Sequence, residues 1–177
     1  YKLAAIYEDG NNHTFFDPYS FPPMLPDFDM HLFNEGQHWH IYNHLGANYR
    51  EINDIPGILF ATWAPNAKRV SLVGNFNHWN GKQHLMRNRG GSGLWEIFIH
   101  ELRNGEIYKF EITDQNDEHH VKSDPYGKYF ELRPSNASIV DIATNHEWHD
   151  QEWLENRRNS DWLHRPLSVY EVHLSSW

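Results

Sequence analysis

From residue 57 onward the chain falls into short apolar runs separated by turn residues. GILFATW (57–63) runs into Pro65-Asn66, RVSLVG (69–74) opens into an Asn-rich loop, and LWEIFI (94–99) follows the glycine-rich RGGSG. EIYKFEIT (106–113) starts after Asn104-Gly105 and stops at DQND, HHVKS (119–123) ends at Asp124-Pro125, and ASIVDI (137–142) follows RPSN. Short strands with turn signals at this spacing predict a mainly β protein built as an antiparallel β-sandwich. In EIYKFEIT the alternation places Tyr108, Phe110 and Ile112 on one face and Ile107, Lys109 and Glu111 on the other. The first set is expected in the core. Lys109 then points away from it, to solvent or to a ligand surface.

The flanks read differently. Residues 1–17 hold a broken strand, a polar turn (Asp9 to Asn12) and Thr14-Phe15-Phe16, the tail of a preceding β module. DPYSFPPMLPDFD carries four prolines between Pro18 and Pro26, which remove donors and favour extended backbone, so it reads as a stiff connector. The connector is drawn over 18–56, with Asp29 capping a short helix that Gly36 ends and another turn or two from Gln37 to Leu45. The sandwich is drawn over 57–144. In 145–177, DQEWLENRR predicts a linker helix capped by Asp150, and SVYEVHL (168–174) resumes strand character.

Composition narrows the function. Net charge is −9 with only 15 Lys and Arg, scattered along the chain, which argues against a nucleic-acid partner. Aromatic residues make up 15% of the chain, including 8 Trp, and in an acidic protein they favour a neutral polar ligand, of which sugar is the obvious class. Without cysteine there is no disulfide framework or thiolate metal site. His38-Trp39-His40 and His119-His120 are adjacent or alternating rather than convergent, so no metal and no cofactor is predicted. No apolar run matches a membrane span, and a cytoplasmic location is expected.

VSLVGNFNHWN (70–80) carries the most chemistry. A strand ends at Gly74, and the loop beyond it holds Asn75, Phe76, Asn77 and Trp79. An indole there can lie flat and accept the C–H face of a pyranose while amides reach the hydroxyls. The same ring could equally cover the edge of the core.

FATWAPNAKRVSLVGNFNHWNG (60–81), with GLWEIFI, NGEIYKFEI, KSDPYG and RPSNASIV, resembles the family 48 carbohydrate-binding module, in the form that precedes the catalytic barrel of glycogen branching enzymes. The upstream connector and the closing SVYEVHLSSW are similar to the same family. The resemblance implies an immunoglobulin-like sandwich with short helical flanking segments and a truncated start of a (β/α)8 barrel, 168–174 being its first strand. An isolated barrel strand would show an unpaired apolar edge. It is expected to be disordered, packed on the sandwich, or paired with another chain. The implied partners are α-glucan (glycogen or maltooligosaccharide) and the catalytic barrel lying outside these residues. Trp79 and Lys109 match the platform ring and the basic residue of the site, with Asn77 as an accompanying amide. A second platform Trp, carried by some members just before the Asp-Pro pair, is replaced here by His119, His120 and Val121, with Ser135 and Asn136 close by in RPSNAS. Family chemistry is retaining glucan transfer to a 6-hydroxyl by two carboxylates on later barrel strands. No catalytic residue is therefore expected here, and Asp161 and Glu171 are given no such role. Trp148, Trp153 and Trp162 are expected at a seam with the barrel, and Tyr126 against a neighbouring domain. A stand-alone regulatory module and a sandwich without sugar affinity remain the alternatives.

Overall fold

The computed structural model describes residues 2–6, 8, 10–142 and 147–176. The chain packs as two units, one ending at Ile142 and one following it. The first opens with a hairpin, β1 (Lys2–Ile6) and β2 (Asn12–Phe16), and a helix, α1 (Asp27–Asn34). It continues through β3 (Gly46–Ile52), β4 (Ile55–Trp63), β5 (Arg69–Gly74), β6 (Arg87–Asn88), β7 (Leu94–His100), β8 (Ile107–Thr113), β9 (His119–Lys122), β10 (Tyr129–Phe130) and β11 (Ser138–Ile139). One antiparallel sheet has the order β3-β4-β7-β6. The other has the order β10-β11-β8-β5, with β9 pairing on β8 as well. Between them Ile58, Phe60, Trp95 and Ile97 meet Val70, Leu72, Tyr108 and Phe110. The alternation in β8 holds: Tyr108 and Phe110 are buried, Ile112 packs at the margin of the core, and Lys109 and Glu111 face out.

The boundary at residue 57 is corrected. β3 lies in the stretch read as connector, yet it pairs along β4 from Gly46↔Ala61 to Ile52↔Ile55. GANYREI carries little apolar alternation because an edge strand is held mainly by its backbone ladder. The connector is a lid as well as a link. Phe21 and Leu25 are buried against Leu59, Phe98, Ala61 and Leu94, on the face of the β4–β7 pair that looks away from the sandwich core. That cover explains why GILFATW is apolar on both faces. Glu96 of β7, buried, accepts the amides of Met24 (3.1 Å) and Leu25 (2.8 Å) and pairs with Arg89 Nη1 at 2.7 Å. Two successive donors of a Pro-rich segment are thereby satisfied where no strand could reach them.

α1 begins right after Pro26 and ends before Gly36, which adopts φ +70°. Asp29 sits inside its first turn rather than capping it, and its Oδ1 lies 2.6 Å from His38 Nε2. Tyr126, expected to face a neighbouring domain, packs instead on Leu25, Leu45, Ala61 and Leu94 within the first unit. The preceding Asp124 is buried, accepting from the Tyr108 hydroxyl at 2.6 Å and the Tyr126 amide at 2.8 Å.

In the second unit α2 (Gln151–Asn159) follows Asp150, which holds the cap position without a side-chain cap bond. Trp148, Trp153 and Trp162 are exposed, with Arg157 over Trp153 and Arg165 over Trp162. Residues 168–174 form no strand. Val169 and Tyr170 are exposed, and a 3-10 turn spans Leu174–Ser176. A parallel strand exists by its neighbours' hydrogen bonds, and no neighbour pairs with this segment among the described residues. Among those residues no helix is long and apolar enough to cross a membrane.

Candidate functional site

The site is built where β5 stops. A Cβ on Gly74 would lie 2.3 Å from the Ile107 carbonyl and 2.5 Å from the Phe76 ring, so only glycine fits there. A 3-10 turn over Asn75–Asn77 follows, and then His78 and Trp79 both take positive φ, 53° and 59°. Two successive non-glycine residues in that region are costly and must be held. Asn77 holds them. Its Oδ1 accepts the Gly74 amide at 2.9 Å, and its Nδ2 donates to the Leu72 carbonyl and to His84 Nδ1, both at 2.9 Å. The Trp79 amide returns to the Gly74 carbonyl at 2.9 Å.

Asn77 is therefore corrected as a ligand contact. It is 1% exposed and both ends of its amide are used internally. Trp79 stands 41% exposed, its indole N–H fixed on Asn75 Oδ1 at 3.0 Å.

Lys109 lies opposite Val73 on the outward side of β8, and its Nζ donates to Asn136 Oδ1 at 2.5 Å. The Asn136 carbonyl accepts from the Ser123 hydroxyl. Glu111, on the same side, pairs across with Ser71 and Val121. A Cβ on Gly81 would come within 2.0 Å of the Glu111 carboxylate. The loop that carries Trp79 thus folds back over the face from which Lys109 projects. Val121, half exposed, occupies the next position on that face. Ser135 is exposed, and His120 turns to Asp114 at 3.0 Å. An exposed indole, an ammonium and an amide at the margin of that covered face can bind a polyol without charge neutralisation.

Two side-chain groups that the sequence did not suggest offer metal-type ligands: Asp29 with His38 and His44, and Asp114 with Glu118 and His120. In the first, the His40 amide donates to His38 Nδ1 at 3.2 Å, which puts the ring proton on Nε2, facing Asp29. A cation would have to break that pair. Burial lowers the pKa of His44 and keeps it neutral.

Residues 44–127 match carbohydrate-binding module 48 (isoamylase N-terminal domain), a span that includes β3. The chain is 56% identical to the 1,4-alpha-glucan branching enzyme GlgB of Methylococcus capsulatus over 178 residues, covering 100% of this chain and 24% of that protein. The corresponding enzyme of Nitrosococcus oceani is 53% identical, covering 98% and 24%. The chain spans about a quarter of the length of the curated relatives it matches. Among solved structures, pullulanase from Bacillus acidopullulyticus overlaps with a TM-score of 0.45 and 22% identity, covering 57% of this chain and 12% of that one. Klebsiella pneumoniae pullulanase complexed with maltotriose gives 0.43 and 27%, covering 56% and 9%.

Proposed function

We propose that the outward face of the β5–β8 sheet docks α-glucan, glycogen or a maltooligosaccharide, for an enzyme that moves α-1,4-glucan segments onto 6-hydroxyls. A glucose ring stacks its C–H face on Trp79, while Lys109 and Asn136 reach its hydroxyls. The observation that carries this reading is the half-exposed indole held in left-handed backbone beside the Lys109–Asn136 pair. One stacked ring adds about 0.5–1.5 kcal/mol beyond burial. A few hydrogen bonds net about 1 kcal/mol each. The total, near ~4 kcal/mol, corresponds to roughly millimolar affinity.

In this reading residues 1–17 end a preceding β module, 145–177 lead into the catalytic barrel, and the transfer carboxylates lie in that barrel. The chain alone then has no transferase activity. A cytoplasmic location belongs to the same proposal and rests on the family. A second reading, a sandwich that only supports the barrel, is favoured by Val121 standing where a second ring would be. Titration with maltoheptaose, followed by tryptophan fluorescence, separates the two. A saturable change in the native chain, lost in Trp79→Ala, is expected. No response in either protein would leave support as the function.

A further inference from the structure

Asn77 does more than hold the Trp79 turn. The same amide donates to His84 Nδ1, which makes that nitrogen the acceptor and leaves the ring proton on Nε2. His84 lies beneath a second opening in the first unit, a cleft of about 670 Å³ between β2, the turn at Phe76 and the end of β7. Pockets for small ligands run from about 300 to 1,000 Å³. Phe15 and Phe16 form one wall, and Phe76, packed edge-on to the His84 ring at 5.4 Å, forms another. Phe16 is braced by His100, whose ring meets it edge-on at 5.0 Å and whose Nδ1 donates to the Pro56 carbonyl at 2.8 Å.

The polar groups are of a particular kind. Gln83 offers an exposed amide, Glu101 a carboxylate 66% exposed, and His84 Nε2 a ring N–H with no partner among the described residues. Burial lowers the pKa of His84, so that N–H is a neutral donor. Among the described residues two carboxylates, Asp17 and Glu101, line the cleft against one nearby ammonium, Lys2 Nζ at 4.6 Å from the Phe16 ring centroid, so an anion is not favoured there. A sugar hydroxyl needs both a donor and an acceptor, and ring faces between planar amide, carboxylate and imidazole groups supply that combination.

We infer that this cleft is a second α-glucan site, taking a short stretch of glucan between the Phe15–Phe16 wall and the Phe76 turn, with His84, Gln83 and Glu101 bonding its hydroxyls. The choice of ligand class rests on the proposed docking function. The location rests on the cleft itself. Phe76 and Trp79 belong to one short turn, and Asn77 holds both that turn and the His84 ring.

Amide shifts of the isotope-labelled chain during maltoheptaose titration test this. The amides of Gln83, His84 and Glu101 should move along their own saturation curve, separate from those of Trp79 and Lys109. In Trp79→Ala the cleft curve should persist while the other is lost. Gln83→Ala combined with Glu101→Ala should weaken the cleft curve at least about fivefold, the loss expected for one or more hydrogen bonds. Both side chains are exposed, so folding should be unaffected. A response confined to Trp79 and Lys109 would overturn the cleft site and leave the docking face intact. A response confined to the cleft would support the site and overturn the docking face. No response anywhere would overturn both.

Discussion

Replacing Val121 with tryptophan supplies the ring that this face lacks. Val121 lies on β9, opposite Glu111, and among the described residues β9 pairs with β8 alone. Its side chain is half exposed on the side from which Lys109 projects. A ring at that position would offer a second plate to a glucan chain already stacked on Trp79. Aromatic stacking contributes about 0.5–1.5 kcal/mol beyond burial, which converts to roughly a two- to tenfold gain in affinity. Tryptophan suits a half-buried strand position, and a surface change of this kind shifts stability by about 0.5 kcal/mol at most. The assay is maltoheptaose binding by calorimetry or amide shifts, with thermal melts as the folding control. A Val121→Trp chain that melts like the native protein but binds no tighter would show that the ligand path does not cross β9. The face described above would then be wrong in its extent.

Two further predictions concern groups that hold the site and its sheet. Asn77→Ala leaves the Gly74 amide and the Leu72 carbonyl without their side-chain partner in a buried position; the expected cost is about 3 kcal/mol in urea unfolding, with weaker glucan binding because the Trp79 turn loosens. A loss under about 1 kcal/mol would mean that the turn is held by other contacts. Asp124 has its carboxyl raised above the ordinary 3.8 by burial, the Tyr108 and Tyr126 hydrogen bonds opposing that rise only in part. Between 3.8 and the raised value the folded chain binds the proton more tightly than the unfolded chain, so this group's contribution to stability falls as pH rises through that window. Unfolding midpoints of the native chain relative to Asp124→Asn should therefore improve as the solution is made acidic across that range, and a difference that is flat with pH would refute the assignment.

Much of the sandwich was legible because its strands obey simple patterns. The alternation in β8 separates Tyr108 and Phe110 from Lys109 without any knowledge of neighbours. The glycine ahead of NFNHW marked the end of β5, and the structure shows the crowding that demands it. Three kinds of feature were not legible. β3 is an edge strand specified by its ladder with β4, a long-range fact that GANYREI does not display. Asn77 and Trp79 stand two residues apart in a polar loop, and nothing local says which side chain turns inward. Only the carbonyl, amide and imidazole waiting for Asn77 decide it. Finally, 168–174 has strand composition, but a parallel strand is a property of a sheet, and no partner strand is found among the described residues.

The two sheets differ in a way that bears on where a ligand can go. The β4–β7 pair is apolar on both faces and has its outer one covered by the connector. Glu96, an acidic group buried beneath that cover, is committed to Arg89 and two backbone amides. Removing any of those partners would strand a charge away from water. Lys109, on the other sheet, is held by one hydrogen bond to the exposed amide of Asn136. Exchanging that bond for one to a sugar hydroxyl replaces one exposed contact with another, at little cost in desolvation. The ammonium therefore sets orientation more than strength, and affinity follows the stacked area. Lys109→Met should then weaken glucan binding less than Trp79→Ala does.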